Sequence, residues 1–267
     1  MHSNASTTFP FEARHNIDKL ALSPNGALLL AVDVNGKCLL INYHRKVVLH
    51  HHSFKGEVSD VKFSPNGKMI AVAVGSHVQL WRCPGFTLDY SPFSLLRELP
   101  GHYDTITALS WSPDSEFLLT SSKDMTARLY PILQFKDFPG ALLSGHRDEV
   151  LGAWFSKDMK SIFSVSKDGA LFAWSFDKEM LSVVQEKDID RSKTRKGEKG
   201  QKIFVQTWKS LDKHYFEQNH AKVTSVSFHA ETGLLSCGFS SGIFGIWELP
   251  DFINIHTLRY SLAVVNI

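Results

Sequence analysis

Residues 145–174 read GHRDEVLGAWFSKDMKSIFSVSKDGALFAW. Three short apolar runs, at 150–155, 162–165 and 170–174, are separated by Ser156-Lys157-Asp158 and by Lys167-Asp168-Gly169. Runs of this length, rich in Val, Ile, Leu and Phe and bounded by turn residues, read as antiparallel strands joined by tight turns. The block opens on Gly145-His146 and closes on Trp174.

The same wording recurs along the chain. A first copy over 17–54 turns at Ser23-Pro24-Asn25-Gly26, and a second starts at Val58 and turns at Ser64-Pro65-Asn66-Gly67. The third opens with Gly101-His102, turns at Ser112-Pro113-Asp114-Ser115 and reaches Leu129-Tyr130; a fifth begins near His220 and reaches Ile246-Trp247. Ser23, Ser64, Ser112 and Ser156 stand 41, 48 and 44 residues apart, close to the roughly 40–45 residues of a WD40 repeat, in which each unit is one four-stranded propeller blade. The chain therefore reads as all-β, a WD40 β-propeller portion with about five recognisable blades over 17–267, preceded by a lead at 1–16. Five copies do not close a ring, and 262–267 resemble the start of another first strand. The expectation is an incomplete ring from a longer protein.

Trp174 and Trp247 lie 73 residues apart, about 30 more than the period. The surplus is a charged insertion at 177–202, too polar to offset the entropy of ordering it, and is read as a loop leaving a blade. It carries Arg191, Lys193, Arg195, Lys196, Lys199 and Lys202 against one acid, Glu198. These six form the candidate contact for RNA or a protein partner, or an import signal, and the plainer reading is a solvated loop. No aromatic residue is interleaved among them, so base stacking is not indicated.

Composition narrows the class. A net charge of +2 is too near neutral to indicate nucleic acid by itself. Cys38, Cys83 and Cys237 are widely spaced and odd in number, which gives neither a disulfide framework nor a metal signature and fits a reducing compartment. The first residues lack the layout of a secretory signal, and no apolar run approaches the roughly 18 residues of a membrane span. These features point to a soluble, intracellular protein without a membrane role.

His146, Ser166 and Asp168 invite comparison with a hydrolase triad. A blade-locking network of His, hydroxyl, turn Asp and Trp accounts for them better, with His146, Ser166, Asp168 and Trp174 as its members. His102, Ser122 and Asp124 form a partial version in the third copy, where Tyr130 replaces the Trp and the blade is expected to be held less firmly. Neither a nucleophile elbow nor a nucleotide or zinc-protease motif occurs. No catalytic, cofactor-binding or metal residues are assigned, and no enzyme activity or cofactor is expected. His50, His51 and His52 lie on a strand with alternating faces and are read as a surface strand, with 50–55 a second candidate contact.

Val48-Leu49-His50-His51 ahead of Phe54-Lys55, the run from Val165 through Asp168-Gly169 to Trp174, and Gly238-Phe239 through Ser241-Gly242-Ile243-Phe244 to Trp247-Glu248-Leu249-Pro250 resemble the periodic tryptophan protein 2 family. The resemblance covers nearly the whole chain, including a charged insertion between the last two blocks. It implies a nucleolar WD-repeat scaffold of the small-subunit processome. Such a protein assembles with other processome proteins on pre-ribosomal RNA and a small nucleolar RNA for small-subunit rRNA processing in ribosome biogenesis. It implies no catalytic residues; family members continue into a second propeller and a helical region. The alternative is a generic WD40 adaptor, such as a ubiquitin-ligase substrate receptor or a chromatin reader.

Overall fold

The computed structural model describes residues 16–85, 92–132, 140–176, 208–216 and 221–259. The lead before residue 16, the insertion at 177–202, His220 and the 262–267 segment lie outside the described residues. Every element among the described residues is a β-strand, and the strands form five four-stranded antiparallel sheets in simple sequence order. The first sheet is β1 (Ile17–Leu22), β2 (Leu28–Asp33), β3 (Lys37–Asn42) and β4 (Val47–Ser53); the second is β5 (Val58–Phe63), β6 (Met69–Val74), β7 (His77–Arg82) and β8 (Ser94–Leu99). The third is β9 (Ile106–Trp111), β10 (Phe117–Ser122), β11 (Thr126–Pro131) and β12 (Ala141–Ser144). The fourth is β13 (Val150–Phe155), β14 (Ser161–Ser166), β15 (Ala170–Phe176) and β16 (Trp208–Tyr215); the fifth is β17 (Val223–His229), β18 (Leu234–Phe239), β19 (Ile243–Glu248) and β20 (Ile253–Arg259). The charged insertion therefore falls between the third and fourth strands of one sheet.

The serine-led turns explain why the repeat is regular. In each, the fourth residue donates its amide to the serine carbonyl: Gly26 to Ser23 and Gly67 to Ser64 at 2.8 Å, Ser115 to Ser112 at 2.9 Å and Met159 to Ser156 at 3.0 Å. The serine hydroxyl donates to Oδ1 of the Asn or Asp two residues on, in Ser23–Asn25 and Ser64–Asn66 at 2.7 Å and Ser156–Asp158 at 2.6 Å. Ser112 does the same with Asp114. These side chains substitute for missing strand partners at the hairpin tip and so fix where each hairpin reverses.

The chain divides into two compact units, Met1–Pro100 and Gly101–Ile267. In the first, Leu30, Leu40, Val32, Phe54, Ile70 and Val72 form a core between the first two sheets, and β1 lies beside β5. In the second, β13 lies between β9 and β17, with one core built around Leu129, Phe155, Phe172 and Trp174 and another around Phe163, Leu235 and Trp247. The second strands β6, β10 and β14 are buried at five of six positions, because each is central to its sheet and covered on both faces. That is why β6 reads as a continuous apolar run, whereas β10 (FLLTSS) and β14 (SIFSVS) bury small hydroxyl residues beside their apolar ones. By contrast the outer strand β20 is exposed throughout.

A register shift recurs just before the third-strand aromatic: Leu80/Trp81, Ala173/Trp174 and Ile246/Trp247, with Leu40/Ile41 in the first sheet. An extra residue at this point bends the strand and increases its twist. One turn is closed by necessity. Gly36 has φ +75, and a Cβ there would run into the carbonyl of Gly56, so the position needs glycine for both conformation and space.

Candidate functional site

Cross-strand pairing places the third-strand positions in register. Ile41, Trp81, Tyr130, Trp174 and Trp247 pair with Leu29, Ile70, Leu118, Ile162 and Leu235 respectively. Two residues further along the second strand, on the same face, stand Ala31, Val72, Thr120, Ser164 and Cys237. This position is the hub of the polar network, and it carries a hydroxyl only in the two sheets that also have a Gly-His pair.

In the fourth sheet the Trp174 indole N–H donates to Ser164 Oγ at 2.8 Å, and Ser164 Oγ lies 2.7 Å from His146 Nε2. Ser164 Oγ accepts from Trp174, and its single proton goes to His146 Nε2 in the tautomer that carries the imidazole proton on Nδ1. His146 stacks on Phe172, with ring centroids 4.1 Å apart and planes at 15°. Ser164 is 0%, Trp174 1% and His146 7% exposed. The network thus runs through Ser164, not through Ser166. Ser166 is also buried, but at the end of β14 its hydroxyl donates to Asp168 in the adjoining turn, and Asp168 Oδ1 accepts the Ala170 amide at 3.2 Å. Asp168 is exposed rather than buried, and no hydrogen bond joins it to His146, whose Nδ1 has no partner among the described residues.

The third sheet makes the complementary half. His102 Nδ1 lies 2.8 Å from Asp124 Oδ2, and His102 Nε2 lies 2.6 Å from Thr120 Oγ1. Thr120 is the hub here. Ser122, given that place in the sequence analysis, instead donates to the carbonyls of Asp104 and Thr105 at 3.1 and 3.0 Å and accepts the Asp124 amide. Asp124 also accepts from the Tyr103 amide at 3.0 Å and from Thr126 Oγ1 at 2.6 Å. Tyr130 is buried at the Trp position. The third sheet thus makes the His–Asp bond that the fourth does not, while the fourth makes the Trp–hydroxyl bond for which the third has Tyr130 in place of Trp.

Burial sets the electrostatics. Desolvation pushes the His146 imidazole down to about 4, against the attraction of Asp168. His102 is lowered by burial too, although its bond to Asp124 works the other way. Burial alone would raise Asp124, but the hydrogen bonds from His102, Thr126 and Tyr103 outweigh it and hold the carboxyl well below the usual range. Both imidazoles are therefore neutral at pH 7, with His102 donating Nδ1–H to an ionised Asp124. Burial raises Cys38 and Cys237 to about 12 and Cys83 to about 11, which leaves these thiols protonated and unreactive at pH 7. Ser166 Oγ, engaged with Asp168 and covered by protein, has no imidazole among the described residues as a hydrogen-bond partner. Among the described residues no cluster of His, Cys, Asp or Glu is arranged to hold a metal ion.

The two sequence-derived contacts fare differently. Arg191, Lys193, Arg195, Lys196, Lys199 and Lys202 lie outside the described residues. In the 50–55 segment His50 and Phe54 are buried, and His52 stacks on Phe93 at 4.5 Å and meets Trp81 edge-on at 4.8 Å. Alternate residues of this segment are therefore buried or half-buried. Only His51, Ser53 and Lys55 are exposed, which corrects its reading as a surface strand.

Repeated four-stranded sheets, serine-led hairpins and a His–hydroxyl–Trp lock define a WD-repeat protein of the propeller class. The model of the WD domain, G-beta repeat, matches residues 44–82, 93–130 and 139–175. The periodic tryptophan protein 2 homolog of Schizosaccharomyces pombe is 42% identical over 269 residues, covering 100% of this chain and 30% of the relative. The homolog of Neurospora crassa is 41% identical over 271 residues, covering 97% of this chain and 28% of the relative. Periodic tryptophan protein 2 of Saccharomyces cerevisiae is 40% identical over 269 residues, covering 99% and 28%. The chain belongs to the periodic tryptophan protein 2 family. It spans about 30% of the length of the first of these relatives.

Proposed function

We propose that the chain is a non-catalytic scaffold portion of a small-subunit processome protein, acting in the nucleolus in small-subunit rRNA processing. The observation that carries this reading is the similarity to periodic tryptophan protein 2 proteins along the full length of the chain. The interior chemistry supports it, because the hydroxyls and imidazoles that resemble a hydrolase are spent on locking blades together. Its mechanism is binding: repeated hairpin ends present many shallow contacts to other processome proteins and to the backbones of pre-ribosomal and small nucleolar RNA.

The insertion is the first contact to test. Replacing Arg191, Lys193, Arg195, Lys196, Lys199 and Lys202 together by glutamine in the complete cellular protein is expected to lower its recovery with pre-ribosomes by several fold or to impair its nuclear import. Sedimentation with pre-ribosomal particles and fluorescence localisation measure the two effects. Unchanged sedimentation and unchanged localisation would return the insertion to a solvated loop.

A further inference from the structure

At one end of the third sheet an exposed side chain sits at a backbone angle that other sheets give to glycine. Met125 has φ +64 in the turn between β10 and β11. Gly36, Gly169 and Gly242 hold the same position, just before the third strand of their sheets, at φ +75, +87 and +75. This conformation strains any residue that carries a Cβ. Among the described residues of the second unit, the other non-glycine residues at positive φ are Ser115, Met159 and Phe252, all buried or half-buried. Met125 is 47% exposed.

The turn is tied to the loop that enters the sheet. The Tyr103 amide donates to Asp124 Oδ2 and the Lys123 amide to the Thr105 carbonyl, both at 3.0 Å, so Tyr103, Lys123 and Met125 emerge at one end of the sheet. Tyr103 is 92% exposed, and the guanidinium of buried Arg128 lies 5.7 Å from its ring centroid, a cation–π contact that orients the ring. The fourth sheet supplies the comparison for Lys123. Lys167 holds the same place there, donating its amide to the Glu149 carbonyl at 2.9 Å, and its ammonium pairs with the Glu149 carboxylate at 3.1 Å. Thr105 stands where that glutamate would be, and exposed Lys123 has no ion pair among the described residues. The carboxylates of these two segments are Asp104, which accepts the Thr105 amide and hydroxyl at 2.6 and 3.2 Å, and Asp124, held by His102, Tyr103 and Thr126.

We infer that this end of the third sheet binds an extended protein segment in which a large apolar side chain stands beside a carboxylate. Tyr103 and Met125 hold the apolar group and Lys123 takes the acid. Tyrosine and methionine are residue types that interfaces concentrate, and tyrosine is a frequent anchor. A strained backbone angle kept for an exposed side chain is the kind of local sacrifice that functional positions show. One free cation matches one carboxylate. A nucleic-acid backbone draws its affinity from several cations at once, and Asp104 and Asp124 would repel it. The inference deepens the scaffold reading by naming one protein contact, and rests on that reading for its biological role.

The test is selection of random phage-displayed heptapeptides on the 267-residue chain, followed by fluorescence anisotropy of the synthetic consensus peptide. The consensus is expected to place Asp or Glu near a large apolar residue. Y103A is expected to bind it at least about tenfold more weakly, and K123Q about threefold more weakly with a smaller dependence on salt. M125G is expected to weaken binding about tenfold while its melting temperature stays level or rises, because glycine relieves the positive φ. That pairing separates a binding side chain from one that serves the fold. L211S/I255S, which removes exposed apolar groups from the outer strands β16 and β20, is expected to bind as the parent does. Selection of no consensus, or equal binding by the parent, Y103A and M125G, would overturn the assignment. So would M125G binding normally but melting at a lower temperature. Labelled oligouridine that binds the parent and is lost in Y103A, with no peptide selected, would make the partner a nucleic acid and overturn it too. Peptide binding at this end, with no small-subunit precursor on the complete cellular protein, would uphold the surface and remove the processome reading. Precursor recovery with no peptide selected would remove only the surface.

Discussion

Trp174→Ala is expected to destabilise the second unit by about 3–5 kcal/mol, the range for removing a large buried aromatic. Trp174 is 1% exposed and packs beside Phe172 and His146. Its loss opens a cavity and also leaves Ser164 without a donor. Ser164→Ala isolates the polar part of the effect. It strands the Trp174 N–H and His146 Nε2, both buried and both bonded to this one oxygen. At about 1–3 kcal/mol for each buried group left unpaired, and less than additively, the expected cost is about 2–4 kcal/mol. Ser166→Ala is expected to cost about 1 kcal/mol, because the exposed Asp168 can turn to water. Urea denaturation of the three variants measures the order. A larger loss for Ser166→Ala than for Ser164→Ala would contradict the assignment of the hub.

Stability is expected to fall as the pH drops from about 6.5 to about 4, before most carboxylates titrate. An imidazole in the unfolded chain protonates near 6.5, whereas folded His146 holds out to about 4. Between these values the unfolded state binds more protons, so acid favours unfolding. The contribution is complete near pH 4 and amounts to about 3 kcal/mol. His102 is lowered in the same direction and adds to it. Asp124 acts lower: its depressed carboxyl stabilises the fold above its unfolded value and is lost only as the pH falls through the folded one. His146→Gln keeps an acceptor for Ser164 and removes the titration. Its melting temperature is therefore expected to vary less with pH across this window than that of the parent. Identical profiles would place the acid sensitivity elsewhere.

Much of this was legible from residue order. The serine-led turns at 23, 64, 112 and 156 announce themselves because a short side chain must close each hairpin, and the structure forms all four. The identity of the hub was not legible. Ser164 and Ser166 lie two apart on one strand and share a face, as do Thr120 and Ser122, so composition offers two hydroxyls and only cross-strand register selects one. The spacing does carry a signal in hindsight: both hubs stand 18 residues after the histidine and 10 before the aromatic. His50 and His52 misled because three histidines suggest a polar strand, while burial depends on what packs above each side chain, which for His52 is Phe54, Trp81 and Phe93. The strand Trp208–Tyr215 was missed because an outer strand of charged and polar residues lacks the apolar run that marks the inner ones.

The scaffold reading meets its most direct test in the RNA that accompanies the complete cellular protein. The protein would be tagged, purified at moderate salt, and its co-purifying RNA sequenced. The account predicts strong enrichment of small-subunit rRNA precursor together with a small nucleolar RNA. Recovery of protein partners with no ribosomal precursor would contradict it and leave a general WD-repeat adaptor in its place.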